Sequence, residues 1–289
     1  MIQVLPSPLE AAAWCAEQQQ QGKSVGFIPT MGALHDGHIS MVQRAASENS
    51  IACASIFVNP LQFNNPEDLE NYPSTLDRDI ERIENAGCNM VFTGTLKQFF
   101  PELDSLDDIR HLDPGPYARG LEAAYRPGHL EGVVTIVDRL FRTVGNCKAY
   151  FGEKDYQQTR VVRFLAKTLQ TENLKIKVVV CPTIRDGNGL ALSSRNQRLT
   201  RDQLIIASRL NKALQDTRRS WKSGEHSAQK LEKILLDSIE HPHIDVQYAA
   251  VRDERNWTVR TPLTVPKRPR ALVAATIDDV RLIDNLALY

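Results

Sequence analysis

The sequence lacks the paired cysteines that organise a disulfide framework. Its five cysteines are an odd number, lie far apart and include no CxxC pair; they are Cys15, Cys53, Cys88, Cys147 and Cys181. A framework of crosslinks is therefore not expected. Because several of these thiols lie in apolar, strand-like runs, we expect them to be buried and free in a reducing cytoplasm.

An excess of charge of either sign is also missing. Lys and Arg together number 35, Asp and Glu together number 35, and the formal net charge is zero. A nucleic-acid-binding protein usually carries a basic excess, so binding of nucleic acid is not expected. The densest basic run, at 267–270, is typical of a solvated loop.

Long hydrophobic runs are absent as well. No apolar stretch approaches the length of a membrane span, and residues 1–10 lack the basic region and apolar core of a signal peptide. Apolar residues nevertheless make up 42% of the 289 residues, enough for one large domain or two modest domains with real cores. These features predict a soluble cytoplasmic protein that does not associate with membranes.

What the sequence does have is a stretch at 24–38, SVGFIPTMGALHDGH, around which the rest is organised. Residues 25–28 are predicted to form a buried strand closed by Pro29. A small glycine-bearing loop follows, and His38 opens a helix whose apolar residues recur on one face. A strand, a loop and a helix N-terminus together present free N–H groups and a positive dipole end to an anion, usually a phosphate.

Two histidines, His35 and His38, lie where that phosphate would arrive. A protonated or hydrogen-bond-donating imidazole there could stabilise negative charge on a transferred phosphate. Two other interpretations stay open: an ordinary strand–helix turn with two exposed histidines, or two ligands of a metal ion. No cluster of Cys, Asp or Glu nearby completes a metal site.

A second apolar run, at 51–58, predicts another buried strand. Strand, helix and strand form a βαβ unit, so a parallel sheet is expected. Asn59 and Gln62 follow at the carboxyl end of this strand, which is where ligands bind in open parallel sheets. The Gln62 amide can donate and accept, which suits a hydroxyl or carboxylate substrate; a plain turn with a surface glutamine is the alternative.

The segment RPGHLEGVV at 126–134 carries further candidate residues. It introduces an amphipathic helix that is predicted to end near Val144. Arg126 and His129 precede the N-terminus of this helix, where anions are favoured. A loop histidine bonded to backbone is the alternative for His129.

The segment AYFGEKDYQQ at 149–158 predicts a strand, a glycine turn and a helix capped by Asp155. Lys154 projects from the turn and can reach a phosphate as a mobile point charge. Gln158, on the first helical turn, is expected to point at the same pocket. A surface turn is the alternative.

A glycine-bearing, hinge-like loop at 187–189 precedes the segment LSSRN at 192–196. The hydroxyls of Ser193 and Ser194 and the guanidinium of Arg195 suit charge-assisted binding of a triphosphate by a mobile loop. The same segment could also cap the helix that follows. The two interpretations are compatible.

The fold class expected is α/β. A Rossmann-like domain with a parallel sheet, 1–185, is predicted to precede a smaller α+β domain, 186–289. Residues 96–118 are rich in Pro and Asp and are expected to be irregular. Further strands are predicted at 88–93, 174–181, 245–251, 271–277 and 280–283, and helices are predicted to end near 85, 171 and 238.

These motifs carry a family resemblance. HDGH at 35–38 resembles the HxGH signature of HIGH-motif nucleotidyltransferases, and LSSRN resembles their KMSKS-type loop. The resemblance to the pantoate–β-alanine ligase family is closer and runs through five strings in order, at 29–38, 57–63, 126–134, 149–158 and 192–196, with a sixth, RLIDN, at 281–285. Leu130 replaces a more usual aromatic residue, and 96–118 and 253–270 depart from the family pattern.

The resemblance implies a two-step ligase. ATP and pantoate would give bound pantoyl adenylate and pyrophosphate, and β-alanine would then attack the adenylate to give pantothenate and AMP. Mg²⁺ would bind the ATP phosphates, no protein ligand of the metal is identified, and the enzyme would be a cytoplasmic homodimer. The alternatives are another HIGH-class nucleotidyltransferase, which should lack the two glutamine strings, and a non-catalytic nucleotide-binding protein.

The resemblance also implies roles for individual residues. Charge on the phosphates would be stabilised by His35, His38, Lys154 and Arg195. Pantoate and β-alanine would be bound by Gln62, Gln158, Asn59 and Arg126. ATP would contact Met31, Gly32, Ala33, Leu34, His35, Asp36, Gly37, His38, Gly152, Glu153, Lys154, Asp155, Ile184, Leu192, Ser193, Ser194 and Arg195.

Overall fold

The structure, a computed structural model, describes residues 1–255, 257 and 266–289. The chain divides into two compact units, Met1–Pro182 and Thr183–Tyr289. Of the segment 253–270, which departs from the family pattern, residues 256 and 258–265 lie outside the described residues. Within the described residues, no helix combines the length and apolar character needed to cross a membrane.

The first unit alternates strands and helices. Its strands are β1 (Gln3–Leu5), β2 (Val25–Thr30), β3 (Ile51–Ile56), β4 (Met90–Phe92), β5 (Cys147–Gly152) and β6 (Ile176–Cys181). Its helices are α1 (Pro8–Gln20), α2 (Asp36–Glu48), α3 (Pro66–Glu70), α4 (Leu76–Asn85), α5 (Leu96–Phe99), α6 (Glu122–Tyr125), α7 (His129–Val144) and α8 (Tyr156–Leu169). The strands form one sheet in the order β1-β4-β3-β2-β5-β6, and every recorded pair is parallel. The predicted Rossmann-like parallel sheet is confirmed.

Both faces of this sheet are covered. Phe27 and Cys53 pack on one face with residues of α1, α7 and α8. Ile28 and Ala54 point to the other face, where α2 and α4 pack. Because both faces are buried, the strands are continuous apolar runs rather than alternating ones, and this is why they could be recognised from the sequence. All five cysteines are buried and free, as predicted.

The strand order places a switch point beside β2. The chain moves from β2 to its neighbour β3 on one side, and β5 lies on the other side of β2. In open parallel sheets, the crevice at the carboxyl ends of two such strands is where ligands bind. The loops after β2, β3 and β5 all open at this edge, and they carry the sequence motifs.

The second unit is a smaller α+β domain, as predicted. Its strands are β7 (Ile244–Asp253), β8 (Pro269–Ile277) and β9 (Val280–Ala287), and its helices are α9 (Arg201–Ala207), α10 (Arg209–Lys222) and α11 (Ala228–Ile239). The strands pair antiparallel in the order β7-β8-β9. Apolar residues of α10 and α11, such as Leu214 and Leu231, pack on one face of this sheet and form the core.

Several boundaries differ from the sequence-based predictions. Strand β2 continues through Pro29 to Thr30, because Pro29 lies past the stretch paired with β5 and its missing N–H costs little there. Strand β3 ends at Ile56 rather than at 58. Short elements β1, α3, α5 and α6 were not predicted, since three to five residues give little periodicity to detect. The helical region expected up to 238 is broken between α9 and α10 and again before α11.

Candidate active site

The loop after β2 is held by a buried carboxylate that the sequence-based prediction missed. Asp79, on α4, accepts hydrogen bonds from the backbone N–H groups of Ala33 (2.7 Å) and Leu34 (2.8 Å). It also accepts one from the Thr75 hydroxyl at 3.1 Å. Ala33 has a φ of 50°, a left-handed conformation that is unfavourable for alanine. The two hydrogen bonds to Asp79 stabilise this strained backbone, which sets the path of the chain into α2.

Arg82 holds the same loop from the next turn of α4. Its guanidinium donates to the backbone oxygen of Leu34 at 2.5 Å and to the carboxylate of Asp36 at 2.6 Å. Asp36 is the first residue of α2. One helix therefore fixes both the loop and the start of the helix that carries the histidines. An acidic and a basic residue three apart in an amphipathic helix gave no distinctive signal in the sequence.

Helix α2 begins at Asp36, two residues earlier than predicted, because the two histidines cap it reciprocally. The His35 Nδ1 accepts a hydrogen bond from the Gly37 N–H at 3.1 Å. The His38 Nδ1 accepts one from the His35 N–H at 3.3 Å. The rings lie 4.0 Å apart, centroid to centroid. This arrangement is a capping box in which imidazoles replace the usual hydroxyl and carboxylate.

The capping geometry defines the chemistry of both imidazoles. Because Nδ1 accepts a hydrogen bond in each ring, the proton of the neutral ring resides on Nε2. Burial and the nearby Lys154 ammonium lower the pKa of His35 to about 4. Burial, then His35 and Lys154, lowers the pKa of His38 well below its ordinary value. Near pH 7 both rings are therefore neutral hydrogen-bond donors through Nε2, and the alternative of a protonated imidazole is not supported.

The turn after β3 lies against the loop after β2. The Gln62 Nε2 is 3.1 Å from the sulfur of Met31. Its Oε1 accepts a hydrogen bond from the buried Asn59 amide at 2.9 Å. Asn59 also donates to the Gly132 carbonyl and accepts from the Leu61 N–H. Gln62 thus reaches the site edge, whereas Asn59, predicted to bind substrate, lies beneath it and fixes its orientation.

The RPGH segment forms hydrogen bonds to the backbone of the same turn. His129 is the first residue of α7, and its Nδ1 lies 2.9 Å from the Gln62 carbonyl oxygen. Arg126 donates to that oxygen at 3.2 Å and lies 3.0 Å from the His129 Nε2. A carbonyl can only accept, so His129 donates from Nδ1 and accepts from Arg126 at Nε2. The sequence left open that His129 is bonded to backbone, and the structure places it so; Arg126, predicted to bind substrate, contacts the same backbone oxygen.

Acidification should therefore weaken the fold through His129. Burial, together with Arg126, lowers the pKa of His129 to about 4. The unfolded chain, with an ordinary pKa near 6.5, binds this proton more readily, so stability rises with pH between these values and is lost as pH falls through them. We expect His129 alone to cost about 2 kcal/mol at pH 5 relative to pH 7. In urea unfolding, His129→Gln should lose correspondingly less stability than the native protein between pH 7 and pH 5. Equal losses of stability in the two proteins would contradict the lowered pKa of His129.

Helix α7 approaches the 59–62 turn so closely that one position has to be glycine. A Cβ added to Gly132 would overlap the Leu61 carbonyl group and would lie 2.8 Å from the Gln62 nitrogen. Both neighbours are backbone atoms, which cannot rotate away. The second glycine of the RPGHLEGV string is therefore explained by close packing of a helix on the turn that presents Gln62.

The loop after β5 supplies a cation and a second glutamine. Residues Glu153–Asp155 form a short 3-10 helix, and the Lys154 ammonium lies 3.4 Å from the Asp155 carboxylate. Asp155 precedes α8 but makes no side-chain capping bond, so the predicted cap is wrong. Of the paired glutamines, Gln157 is buried and bonded to the backbone of Tyr117, Gly120 and Glu122. Gln158, half-buried on the first turn of α8, is the one at the surface.

In the second unit, the chain forms a hydrogen-bonded hairpin where a hinge-like loop was expected. The Leu192 N–H donates to the Ile184 carbonyl at 2.9 Å, and the Asp186 N–H donates to the Leu190 carbonyl at 2.9 Å. Ser193 then caps a 3-10 helix, Ser194–Arg198, by accepting from the Arg195 N–H. Of the predicted ATP contacts, Ile184 and Leu192 are therefore paired, and Ser193–Arg195 follow directly along the chain. Helix α9 has its own cap at Thr200, so the serines do not cap it.

The alternative of a metal site at the histidines finds no support in the described part of the chain. The described residues include no group of three or more His, Cys, Asp or Glu side chains arranged to hold a metal ion. His35 and His38 instead use their Nδ1 atoms to cap α2.

Comparison of the sequence with known proteins points to a single family. The sequence profile of the family described as Pantoate-beta-alanine ligase matches residues 3–287. The pantothenate synthetase of Cytophaga hutchinsonii is 39% identical over 276 residues, covering 94% of each chain. That of Pseudomonas fluorescens SBW25 is 40% identical over 279 residues, covering 96% of each.

Solved structures agree with the sequence comparison. The crystal structure of the Thermus thermophilus pantothenate synthetase matches with a TM-score of 0.88 and 35% identity, and each chain is covered completely. The Francisella tularensis pantoate–β-alanine ligase, solved as a complex with β,γ-ATP and β-alanine, matches with a TM-score of 0.78 and 31% identity, covering 100% of this chain and 98% of that one.

Proposed function

This chain belongs to the pantoate–β-alanine ligase family, and from that premise we propose how its residues carry out the reaction. The enzyme condenses pantoate with β-alanine in an ATP-dependent reaction that forms pantothenate. The observation that carries the proposal is the pair of neutral imidazoles, His35 and His38, at the switch point of a parallel sheet. Donors fixed in this way act on charge that develops during phosphoryl chemistry.

The first chemical step makes the carboxylate of pantoate reactive. A carboxylate oxygen attacks the α-phosphorus of ATP, the bond to the β-phosphate oxygen breaks, and pyrophosphate leaves with the electron pair. The product is pantoyl adenylate, a mixed anhydride. In the second step the amine of β-alanine attacks the acyl carbon, AMP leaves, and the nitrogen loses a proton. No enzyme nucleophile is needed, so the protein contributes mainly position and electrostatics.

Charge on the transferring phosphate is stabilised by His35, His38 and Lys154. The imidazoles donate through Nε2, because their Nδ1 atoms are used to cap α2. Lys154 acts as the cation, and its field adds to burial in lowering the pKa of both rings. The proposed ATP contacts of the first unit are Met31–His38, which run from the loop after β2 into the first turn of α2, and Gly152–Asp155, which run from the end of β5 through a 3-10 helix.

Mg²⁺ arrives with ATP as part of the substrate. Mg²⁺ commonly binds substrate phosphates while keeping several waters, and it needs few protein ligands. Bound to the phosphates, the ion neutralises part of their charge.

Pantoate is held by Gln62 and Gln158, whose amides can pair with its hydroxyl and carboxylate oxygens. Gln62 is supported for this task by three residues that fix its side chain or backbone: Asn59, Arg126 and His129. The burial of Gln157 in contacts with backbone supports the assignment of this role to Gln158.

In the second unit, we assign the triphosphate to Ser193, Ser194 and Arg195. Two hydroxyls and a guanidinium suit charge-assisted hydrogen bonds to phosphate oxygens. Ile184 and Leu192, on the paired ends of the hairpin, complete the proposed ATP contacts. The chemistry of the reaction requires this group only in the first step, when pyrophosphate is present.

Isotope exchange tests the order of steps. With Mg²⁺, ATP and pantoate but no β-alanine, the enzyme is expected to exchange labelled pyrophosphate into ATP, because adenylate formation is reversible and needs no amine. Omitting pantoate should abolish the exchange. Exchange that strictly required β-alanine would contradict the adenylate-first mechanism, and exchange without pantoate would indicate a different acceptor.

We also propose that the enzyme is a cytoplasmic homodimer, as the family resemblance implies. The five buried free thiols support a reducing compartment. Light scattering of the purified protein tests the dimer, whose mass should be twice that of the 32.5 kDa chain.

A further inference from the structure

Asp284 is a carboxylate at a core-facing position of a strand. It lies on β9, in the RLIDN string, and is 3% exposed. Residues two apart on a strand share a face, and Val280 and Leu282 of that face belong to the apolar core of the second unit. Val273, the residue opposite Asp284 on β8, belongs to the same core. An apolar side chain at this position would be the ordinary choice, since burying an ion pair often stabilises a fold less than apolar packing does.

The partner of this carboxylate is Arg185, which belongs to the hairpin before the LSSRN segment. The guanidinium of Arg185 binds both carboxylate oxygens of Asp284, at 2.6 and 2.9 Å. The same guanidinium donates to the Gly189 carbonyl at 3.0 Å, across the hairpin. Asp284 also accepts from the Asn285 N–H at 2.7 Å. One partly buried ion pair, with its carboxylate buried, therefore closes the hairpin and attaches it to the sheet.

The hairpin in turn fixes the start of the triphosphate-binding segment. Leu192 is paired with Ile184, next to Arg185, through its backbone N–H. Leu190 is buried in the core, and the Asn196 side chain donates to the Ala191 carbonyl. Residues 193–195 thus extend from a short, hydrogen-bonded framework that the Arg185–Asp284 pair attaches to the sheet.

We propose that Asp284 and Arg185 are a positioning pair for the adenylation half-reaction, which orients the 192–195 segment toward the triphosphate. This rests on the proposed role of Arg195. The pair does not touch substrate. Its loss should impair the step in which the triphosphate is bound and spare the step in which pyrophosphate has left. A small displacement of a positioned group is enough to cost about tenfold to a hundredfold in rate.

The test compares two half-reactions in Asp284→Asn and Arg185→Lys. Asp284→Asn keeps the shape but loses the charge, and Arg185→Lys keeps the charge but loses the bidentate geometry. We expect each variant to lower pyrophosphate exchange, measured with ATP, Mg²⁺ and pantoate, by about tenfold or more. Attack of β-alanine on preformed pantoyl adenylate should change by less than about twofold.

A matched control is available in the same unit. Arg252 and Glu232 form another partly buried ion pair, at 3.3 Å, and Glu232 also accepts from the Val251 N–H. Glu232→Gln should lower the melting temperature about as much as Asp284→Asn and Arg185→Lys do. It should leave the rates of both half-reactions unchanged. An equal fall of both half-reactions in Asp284→Asn and Arg185→Lys, or an unaltered exchange, would overturn the proposal.

Arg195→Ala separates this proposal from the one on which it rests. If Arg195→Ala exchanges pyrophosphate normally, the assignment of the 192–195 segment to the triphosphate is wrong, and the positioning role falls with it. If Arg195→Ala is impaired while the Asp284 and Arg185 variants are normal, only the positioning role is wrong.

Discussion

Replacement of His38 is expected to cause the largest loss of activity. His38→Ala removes a donor that we propose lies next to the transferring phosphate, and loss of one such group typically lowers turnover by about 10²–10³. The ring is neutral near pH 7 because its pKa lies well below the ordinary value. Native pyrophosphate exchange should therefore not decline through deprotonation of His38 as the pH is raised to neutrality, as it would if a protonated imidazole were required.

His38 also caps α2, so its structural and chemical roles have to be separated. Its Nδ1 accepts from the His35 N–H, and removing a cap typically costs about 1 kcal/mol of stability. His38→Asn provides an acceptor for that N–H without the imidazole Nε2 donor. We expect this variant to be nearly as stable as the native enzyme and almost as inactive as His38→Ala in pyrophosphate exchange.

The matched control is an exposed histidine of the second unit. His243 is 57% exposed at its side chain and bonded to Asp278. His243→Ala should exchange pyrophosphate at the native rate. Native turnover in a well-folded His38→Asn would remove His38 from the mechanism.

Replacement of Gly132 by alanine is expected to have the largest effect on stability. Alanine is the better helix former by about 0.5–1 kcal/mol, so propensity alone predicts that Gly132→Ala in α7 stabilises the protein. The added Cβ would instead overlap the Leu61 carbonyl oxygen. We expect the clash to prevail and to lower the free energy of unfolding by about 1–3 kcal/mol or more, as overpacking does.

The displaced turn carries Gln62, so the stability loss should be joined by a specific functional one. The Michaelis constant for pantoate is expected to rise more than that for ATP, because the amide proposed to bind pantoate moves with the turn. Gly187→Ala is the control, since a Cβ there would meet no heavy atom within 4 Å. Urea unfolding and steady-state kinetics measure both effects. An unchanged or increased stability of Gly132→Ala would contradict the close packing described.

The long-range supports of the site were beyond the reach of the sequence. Asp79 binds Ala33 across 46 residues, and Arg185 binds Asp284 across 99. Asp284 lay within a recognised string, but nothing in that string indicated a partner. Which buried polar groups pair is decided by the packing of distant elements, and a one-dimensional pattern carries no record of it.

The sequence by itself determined the fold class, the edge of the sheet that carries the candidate site, and the family. It did so because buried strands, helix faces and glycine-bearing loops leave local patterns, and because motif order is itself linear information. Only the tertiary structure decided the state of the groups at that edge. Burial makes His35 and His38 neutral, and their capping bonds leave the ring proton on Nε2. The RPGH segment supports Gln62 from beneath, and Gln157 rather than Gln158 is withdrawn into the fold. Protonation, orientation and support depend on burial and on hydrogen-bond partners, and these exist only after the chain has folded.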